Sequence, residues 1–141
     1  MAITLNNGVT FKIGATSAST TDLSSYVTNI QINREYDQVE TTAMGSSGRT
    51  YIAGLEQSTI TVTFNNEYAS ATGVNQVVEA LVGTKAYFES TPSSGAVSAS
   101  NPKYSGNILI ASWSPINGAP GDLATVDVTW NITGALTKAT S

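Results

Sequence analysis

The chain has no cysteine and no histidine, and these two absences remove most enzyme chemistry at the outset. Without cysteine there is no disulfide framework, no thiol nucleophile and no thiolate metal site. Without histidine the commonest general base and metal ligand is missing, so a Ser-His-Asp triad and His-based zinc sites cannot be built. Charge is scarce as well: charged residues make up 11% of 141 positions, against roughly 25% in ordinary soluble domains. A surface so poor in charge repels other chains weakly, and much of it is expected to be covered by copies or partners. The basic residues Lys12, Arg34, Arg49, Lys85, Lys103 and Lys138 stand singly in a chain of net charge −4. No basic patch is therefore available to grip nucleic acid or an anionic membrane. The longest uncharged run, from Tyr104 to Gly121, is broken by Pro115, Gly118 and Pro120 and cannot cross a membrane as a helix. The segment Met1–Gly8 has neither the basic nor the apolar region of a secretory signal.

What the chain does have is alternation, and its length suits a single domain with its own core. Asn7-Gly8 reads as a turn before a strand with Val9, Phe11 and Ile13 on one side, and Ala15–Thr21 reads as a small-residue linker. After the turn D-L-S-S-Y, a strand from Tyr26 to Arg34 places Tyr26, Thr28, Ile30 and Ile32 opposite Val27, Asn29, Gln31 and Asn33, and is expected to run on through Val39 and Glu40. Another runs from about Gln57 to Tyr68. Lys85–Ser90 and Tyr104–Ser114 are strands, the second with Ile108 and Ile110 on one face and Leu109 and Trp113 on the other. In the last strand Val126, Val128, Trp130 and Ile132 point inward and Thr125, Asp127, Thr129 and Asn131 outward. One helix interrupts the strands, over about residues 73–82. Val74, Val77, Val78, Leu81 and Val82 recur at helical spacing, Ser70 or Thr72 can cap its start, and Gly83 can end it. The pattern predicts a mainly β fold, an antiparallel sandwich or barrel-like body with one flanking helix.

Between two of these strands lies a segment of a different kind, the arm over about residues 40–54, E-T-T-A-M-G-S-S-G-R-T-Y-I-A-G. A hairpin needs about two to five turn residues. This connection is far longer, has no helical period, and still contains Met44, Tyr51 and Ile52. Such an arm is expected to be ordered by a neighbouring molecule.

The remaining chemistry is thin. Gly45-Ser46-Ser47-Gly48-Arg49-Thr50 has two residues between its glycines and a strand after it, where a phosphate loop needs four, then Lys, then a helix. Glu35, Asp37, Glu40 and Glu56 could supply a carboxylate pair for glycoside hydrolysis. The plainer reading of that group is a surface or intersubunit edge with Arg34 and Arg49 as ion-pair partners. The cluster also lacks the spacing of a calcium loop. Trp130 falls on the inward parity and reads as core, whereas Trp113, near a loop, could belong to a sugar platform. Asn131-Ile132-Thr133 matches a glycosylation acceptor but lies in a strand. No catalytic, cofactor-binding or metal-ligating residue is expected, and the chain is not read as an enzyme.

The order of motifs along the chain is more specific. D-L-S-S-Y-V-T-N-I-Q-I-N-R-E-Y-D-Q-V-E-T-T-A-M-G is followed by R-T-Y-I-A-G-L-E and F-N-N-E-Y. The helix V-x-x-V-V-E-A-L-V-G, then N-P-K-Y, then G-D-L-A-T-V-D-V-T-W-N-I-T-G complete the pattern. From about Asp22 to Gly134 this resembles the small tail-tube (major tail) proteins of long-tailed, siphovirus-type bacteriophages, which are related to the tube of the type VI secretion system.

The resemblance implies one tail-tube-like domain over residues 1–141, with flexible terminal segments and a bridging arm. It implies hexameric rings stacked into a hollow tube that conducts the genome to the host cell. The partners would be further copies, other tail proteins, and DNA passing through the lumen without specific binding, with no membrane and no cofactor. The place would be the virion tail, assembled in the host bacterial cytoplasm. Within that frame Met44, Gly45, Gly48, Arg49, Tyr51 and Ile52 become the arm's subunit-interface residues, reaching along the tube axis. Asp127 becomes a candidate lumen-facing acid, since an acidic or neutral bore repels phosphates and lets DNA slide. Two other readings stay open: a phage capsid decoration protein, and a carbohydrate-binding or adhesive β-sandwich.

Overall fold

The computed structural model describes residues 8–141, so Asn7 and the segment Met1–Asn7 lie outside the described residues. The elements are β1 (Thr10–Gly14), β2 (Thr20–Asp22), a 3₁₀ turn (Ser24–Tyr26), β3 (Val27–Asn33), β4 (Tyr36–Glu40), β5 (Tyr51–Glu56), β6 (Thr59–Asn65), α1 (Val74–Glu79), β7 (Lys85–Thr91), β8 (Lys103–Leu109) and β9 (Thr125–Ala139). Seven strands form one antiparallel sheet in the order β2-β1-β7-β8-β9-β6-β3, and β4 pairs with β5 alone.

The long strand β9 holds the architecture together. Its first part, Thr125–Asn131, pairs with β6, and the part beyond pairs with β8 from Ile132 to Ala139. Within the β8-paired part the register shifts: Asn107 faces Thr133, yet Ser105 faces Thr137. The extra backbone in β9 bulges at Gly134, whose φ of +82° is a left-handed value that L side chains rarely adopt. The bulge bends the strand, and the two halves of the sheet turn their apolar faces together. Phe11 of β1 meets Phe64 of β6 with ring centroids 5.8 Å apart. Ile13, Phe88, Ile108 and Ile110 from one half join Ile60, Val62, Val126, Val128 and Trp130 from the other in a single core. The expected antiparallel sandwich is therefore observed, with alternation as its cause: β6, T-I-T-V-T-F-N, buries every second residue.

The helix is shorter than its apolar spacing predicts. Val74 and Val78 are fully buried, while Leu81 and Val82 fall in the turns that follow. Gly83 N–H donates to the Ile110 carbonyl at 2.7 Å and Leu81 N–H to Val78 at 2.9 Å, so the chain past Glu79 is captured by the strand end beside it. The helix ends at Glu79 with Ala80 as its C-cap, so Gly83, with φ +82°, turns the chain beyond the helix instead of ending it. The start is Gly73, with no side-chain cap; Ser70 instead accepts from Thr72 N–H at 3.2 Å, and Glu67 accepts from the amides of Ala69 and Ser70.

Smaller corrections follow the hydrogen bonds. The Ala15–Thr21 linker ends in strand, because Thr20 and Thr21 pair with Gly14 and Ile13. β8 stops at Leu109 rather than reaching Ser114, and β9 continues past Ile132 to Ala139, so that end of the chain is strand where a flexible segment is expected. The uncharged loop after β7 is organised by buried Asn101, whose amide donates to the carbonyls of Ser93, Gly95 and Ala96. Trp130 is core, its Nε1–H donating to the Ser112 carbonyl at 3.0 Å. Trp113 packs T-shaped against Phe64 with ring centroids 6.0 Å apart, and its Nε1–H donates to Asn75 Oδ1 at 3.2 Å, so it is a partly buried support of the core.

Candidate assembly surface

The expected arm is regular. β4 and β5 form a two-stranded ribbon in which Val39 pairs with Ile52 and Glu40 with Tyr51. The ribbon spans Tyr36–Glu56, wider than residues 40–54, and its tip is tied at the base. Thr41 N–H donates to the Thr50 carbonyl at 2.8 Å, the two threonine hydroxyls lie 2.9 Å apart, and Thr50 N–H donates to Thr42 Oγ1 at 2.9 Å. Gly45, at φ +92°, makes the turn at the tip, and both Gly45 and Gly48 stand in open space. Neither ribbon face is covered. Met44 is fully exposed, Tyr51 is 50% and Ile52 59% exposed, and Tyr36, Val39 and Leu55 are open as well.

The two strands of the ribbon pair with each other alone, and their apolar side chains have no cover. An isolated two-stranded ribbon is marginally stable in water. Apolar groups held out on such a support mark an interaction site more often than a failed core.

The ribbon root is fastened to the body by one carboxylate. Glu56 Oε2 accepts the Leu136 N–H at 2.8 Å and the Ser58 hydroxyl at 2.8 Å. Arg34 Nε lies 3.7 Å from Glu56 Oε1, and Arg34 also donates to the Leu136 carbonyl at 3.3 Å. The Leu136 amide, the Ser58 hydroxyl, the Tyr36 side chain and the Arg34 charge together hold the Glu56 carboxyl below its ordinary value, against the opposing effect of burial. A further backbone bond, Gln57 N–H to the Glu35 carbonyl at 2.6 Å, closes the root. The clamp sits at the end of the sheet where Asn33, Thr59 and Asn131 line up.

Of the four carboxylates near the ribbon, three have partners of their own and Glu35 is exposed. Asp37 Oδ2 accepts from the Gln57 amide at 3.0 Å, Glu56 faces Arg34, and Glu40 lies 3.8 Å from Arg49. Among the described residues, no three His, Cys, Asp or Glu side chains group as metal ligands.

On the same half-sheet, the outward face is a polar lattice. Cross-strand pairing lines up Asn29, Thr63 and Asp127, then Gln31, Thr61 and Thr129, then Asn33, Thr59 and Asn131. Thr63 Oγ1 donates to Asp127 Oδ1 at 3.0 Å, and Thr61 and Thr129 hydroxyls lie 3.1 Å apart. Asp127 is exposed on this face, as its strand parity predicts, and is the one charge among these nine side chains.

Two apolar groups in the connection between β8 and β9 escape a reading by periodicity. Ile116 is 88% and Leu123 68% exposed. Tyr36, Val39 and Leu55 of the ribbon likewise stand outside any one-faced pattern. A signal for the ribbon was present: Tyr51, Ile52 and Leu55 occupy both parities of one strand, and one core cannot take both.

The chain has no match among protein-family models or curated protein sequences. The fold does recur in solved structures. A chain of the virion of a native gene transfer agent (GTA) particle superposes with a TM-score of 0.74 at 14% identity, over 97% of this chain and 99% of that one. A chain of the tail of an empty GTA particle, of C6 symmetry, superposes with a TM-score of 0.73 at 17% identity, over 96% and 98% of the two chains. At such identities the likeness establishes a shared fold along almost the whole length of both chains.

Proposed function

We propose that this chain is a structural virion protein that polymerises as stacked hexameric rings into a phage-type tail tube. The observation that carries the reading is the end-to-end fold likeness to a chain of a C6-symmetric tail. The ribbon adds independent support, being an ordered, apolar element that the molecule's own core leaves uncovered. Met44, Gly45, Gly48, Arg49, Tyr51 and Ile52 are then the residues that clasp a neighbouring subunit. Sheet edges β2 and β3 are unpaired hydrogen-bond templates that ring closure would satisfy.

The lattice of Thr, Asn and Gln around Asp127 suits the wall of the bore. Hydroxyl and amide groups wet the surface, no cation on those rows holds a phosphate, and DNA passes without being bound. The protein acts by assembly rather than by catalysis, its other partners are further tail proteins, and it resides in the virion after assembly in the host cytoplasm.

Negative-stain imaging of the concentrated protein beside a variant lacking Thr41–Thr50 tests the reading. The expected result is hollow tubes or six-fold rings from the intact chain and folded, unassembled protein from the variant. Discrete trimers from the intact chain would favour a capsid decoration protein, and tubes of normal length from the variant would remove the ribbon from the mechanism.

A further inference from the structure

We infer that the loop between β8 and β9 is the receptor for the ribbon of a second copy, an inference that rests on the polymerising role just proposed. The two elements occupy opposite ends of one half-sheet. The ribbon leaves where Asn33 pairs with Thr59. The loop sits where Asn65 pairs with Thr125 and Asn66 N–H donates to the Ala124 carbonyl at 2.8 Å. The strand β6 lies between them, Thr59–Asn65, a span of about 20 Å at ~3.3 Å per residue.

Both ends are apolar and unpartnered. The loop presents Ile116 and Leu123, flanked by Tyr68 at 44% exposure. It is also built in advance of any partner. The Tyr68 hydroxyl and the Asn66 amide donate to the Pro115 carbonyl, Asn117 donates to the Thr125 carbonyl at 3.2 Å, and Asp122 N–H donates to the Ala119 carbonyl at 3.0 Å. A pre-ordered receptor loses little conformational freedom on docking.

The charges are complementary. Between Thr41 and Thr50 the ribbon tip carries one charged residue, Arg49; between Ser112 and Ala124 the loop carries one, Asp122. Arg49 is 74% exposed and its contact with Glu40 is long, 3.8 Å, the kind of surface pair that contributes little and exchanges readily. Two different, complementary patches at opposite ends of a molecule make a heterologous contact, and a translation along the strands leaves that contact open-ended. With the strands taken along the tube axis, the ribbon docks on the next ring, not on its neighbour in the same ring.

The absence of native cysteine makes this directly testable. Met44→Cys chains are mixed with Ile116→Cys or Leu123→Cys chains under assembly conditions, oxidised, and resolved without reductant. The expected result is disulfide-linked dimer in at least one pairing, on the order of tenfold above a Met44→Cys and Thr133→Cys control, because docking raises the effective thiol concentration. In parallel, Ile116→Ser with Leu123→Ser, both exposed sites, should leave a folded chain that forms rings but no tubes. Normal tubes from that variant, or tubes without cross-link enrichment, would overturn the receptor assignment and leave polymerisation standing. A wild-type chain that does not self-associate at all would overturn polymerisation and the receptor with it.

Discussion

The body and the ribbon spend the same residue types in opposite ways. In β6 and the first part of β9 every second residue is apolar and vanishes under the facing half-sheet; Phe64 and Trp130 are at most 1% exposed. In the ribbon, Tyr36, Val39, Tyr51, Ile52 and Leu55 stay between 46% and 79% exposed on strands that are just as regular. Local β preference is similar in the two places. What differs is the cover: a body strand has a second layer above it, while a ribbon strand has only its hairpin partner. An ordered element that keeps its apolar groups in water is the element the proposed assembly would cover.

The sharpest way to break this comparison is to empty the core. Trp130→Ala should cost about 3–5 kcal/mol, read by chemical denaturation, and should abolish assembly only because the chain unfolds. A loss under about 1 kcal/mol would mean that the sandwich is not the stabilising unit. The ribbon should respond in the reverse manner. Tyr51→Ser with Ile52→Ser should change the stability of the isolated chain by within about 0.5 kcal/mol, as exposed positions do. The same pair should raise the critical concentration for tubes by about tenfold or more, equivalent to about 1.4 kcal/mol per contact. Destabilisation of the monomer would place those side chains in the body's own packing.

The root should behave as a hinge between the two regimes. Glu56 is held below its ordinary carboxyl value, so its contribution is fully present above the unfolded-state value of about 4.3 and is lost as pH falls through the lower folded value. The melting temperatures of the wild type and Glu56→Gln should therefore differ by a constant amount from pH 7 to about pH 4.5 and converge in stronger acid. A gap that widens in acid would contradict the clamp. The smallest effect on the fold belongs to Asp127→Lys. It should leave stability within about 0.5 kcal/mol and permit tubes, but make them retain DNA in a salt-sensitive manner.

Much of this organisation was legible in the chain, and for identifiable reasons. Strict alternation disclosed β6 and β9, because each has one buried face. The arm was visible as a connection no hairpin requires, but its start was not. Arg34 and Glu35 interrupt the ladder without interrupting the β pattern, so β3 and β4 read as one strand until Gln57 N–H is seen bonded to the Glu35 carbonyl. The helix spacing overran because Ile110 captures Gly83 from outside the helix, a tertiary effect that spacing does not carry. Ile116 and Leu123 were hidden by context: lone apolar residues among Pro and Gly have no period. Strand parity was sufficient to turn Asp127 outward, whereas the role of that face as a bore depends on how copies are arranged.

Hydrogen exchange measured on free and assembled protein bears most directly on the claim that the ribbon is completed by another copy. The account predicts that peptides spanning Tyr36–Glu56 become strongly protected on assembly, while those of β6 and the first part of β9 start protected and barely change. Equal exchange of the ribbon in the two states, with protection gained elsewhere, would contradict it.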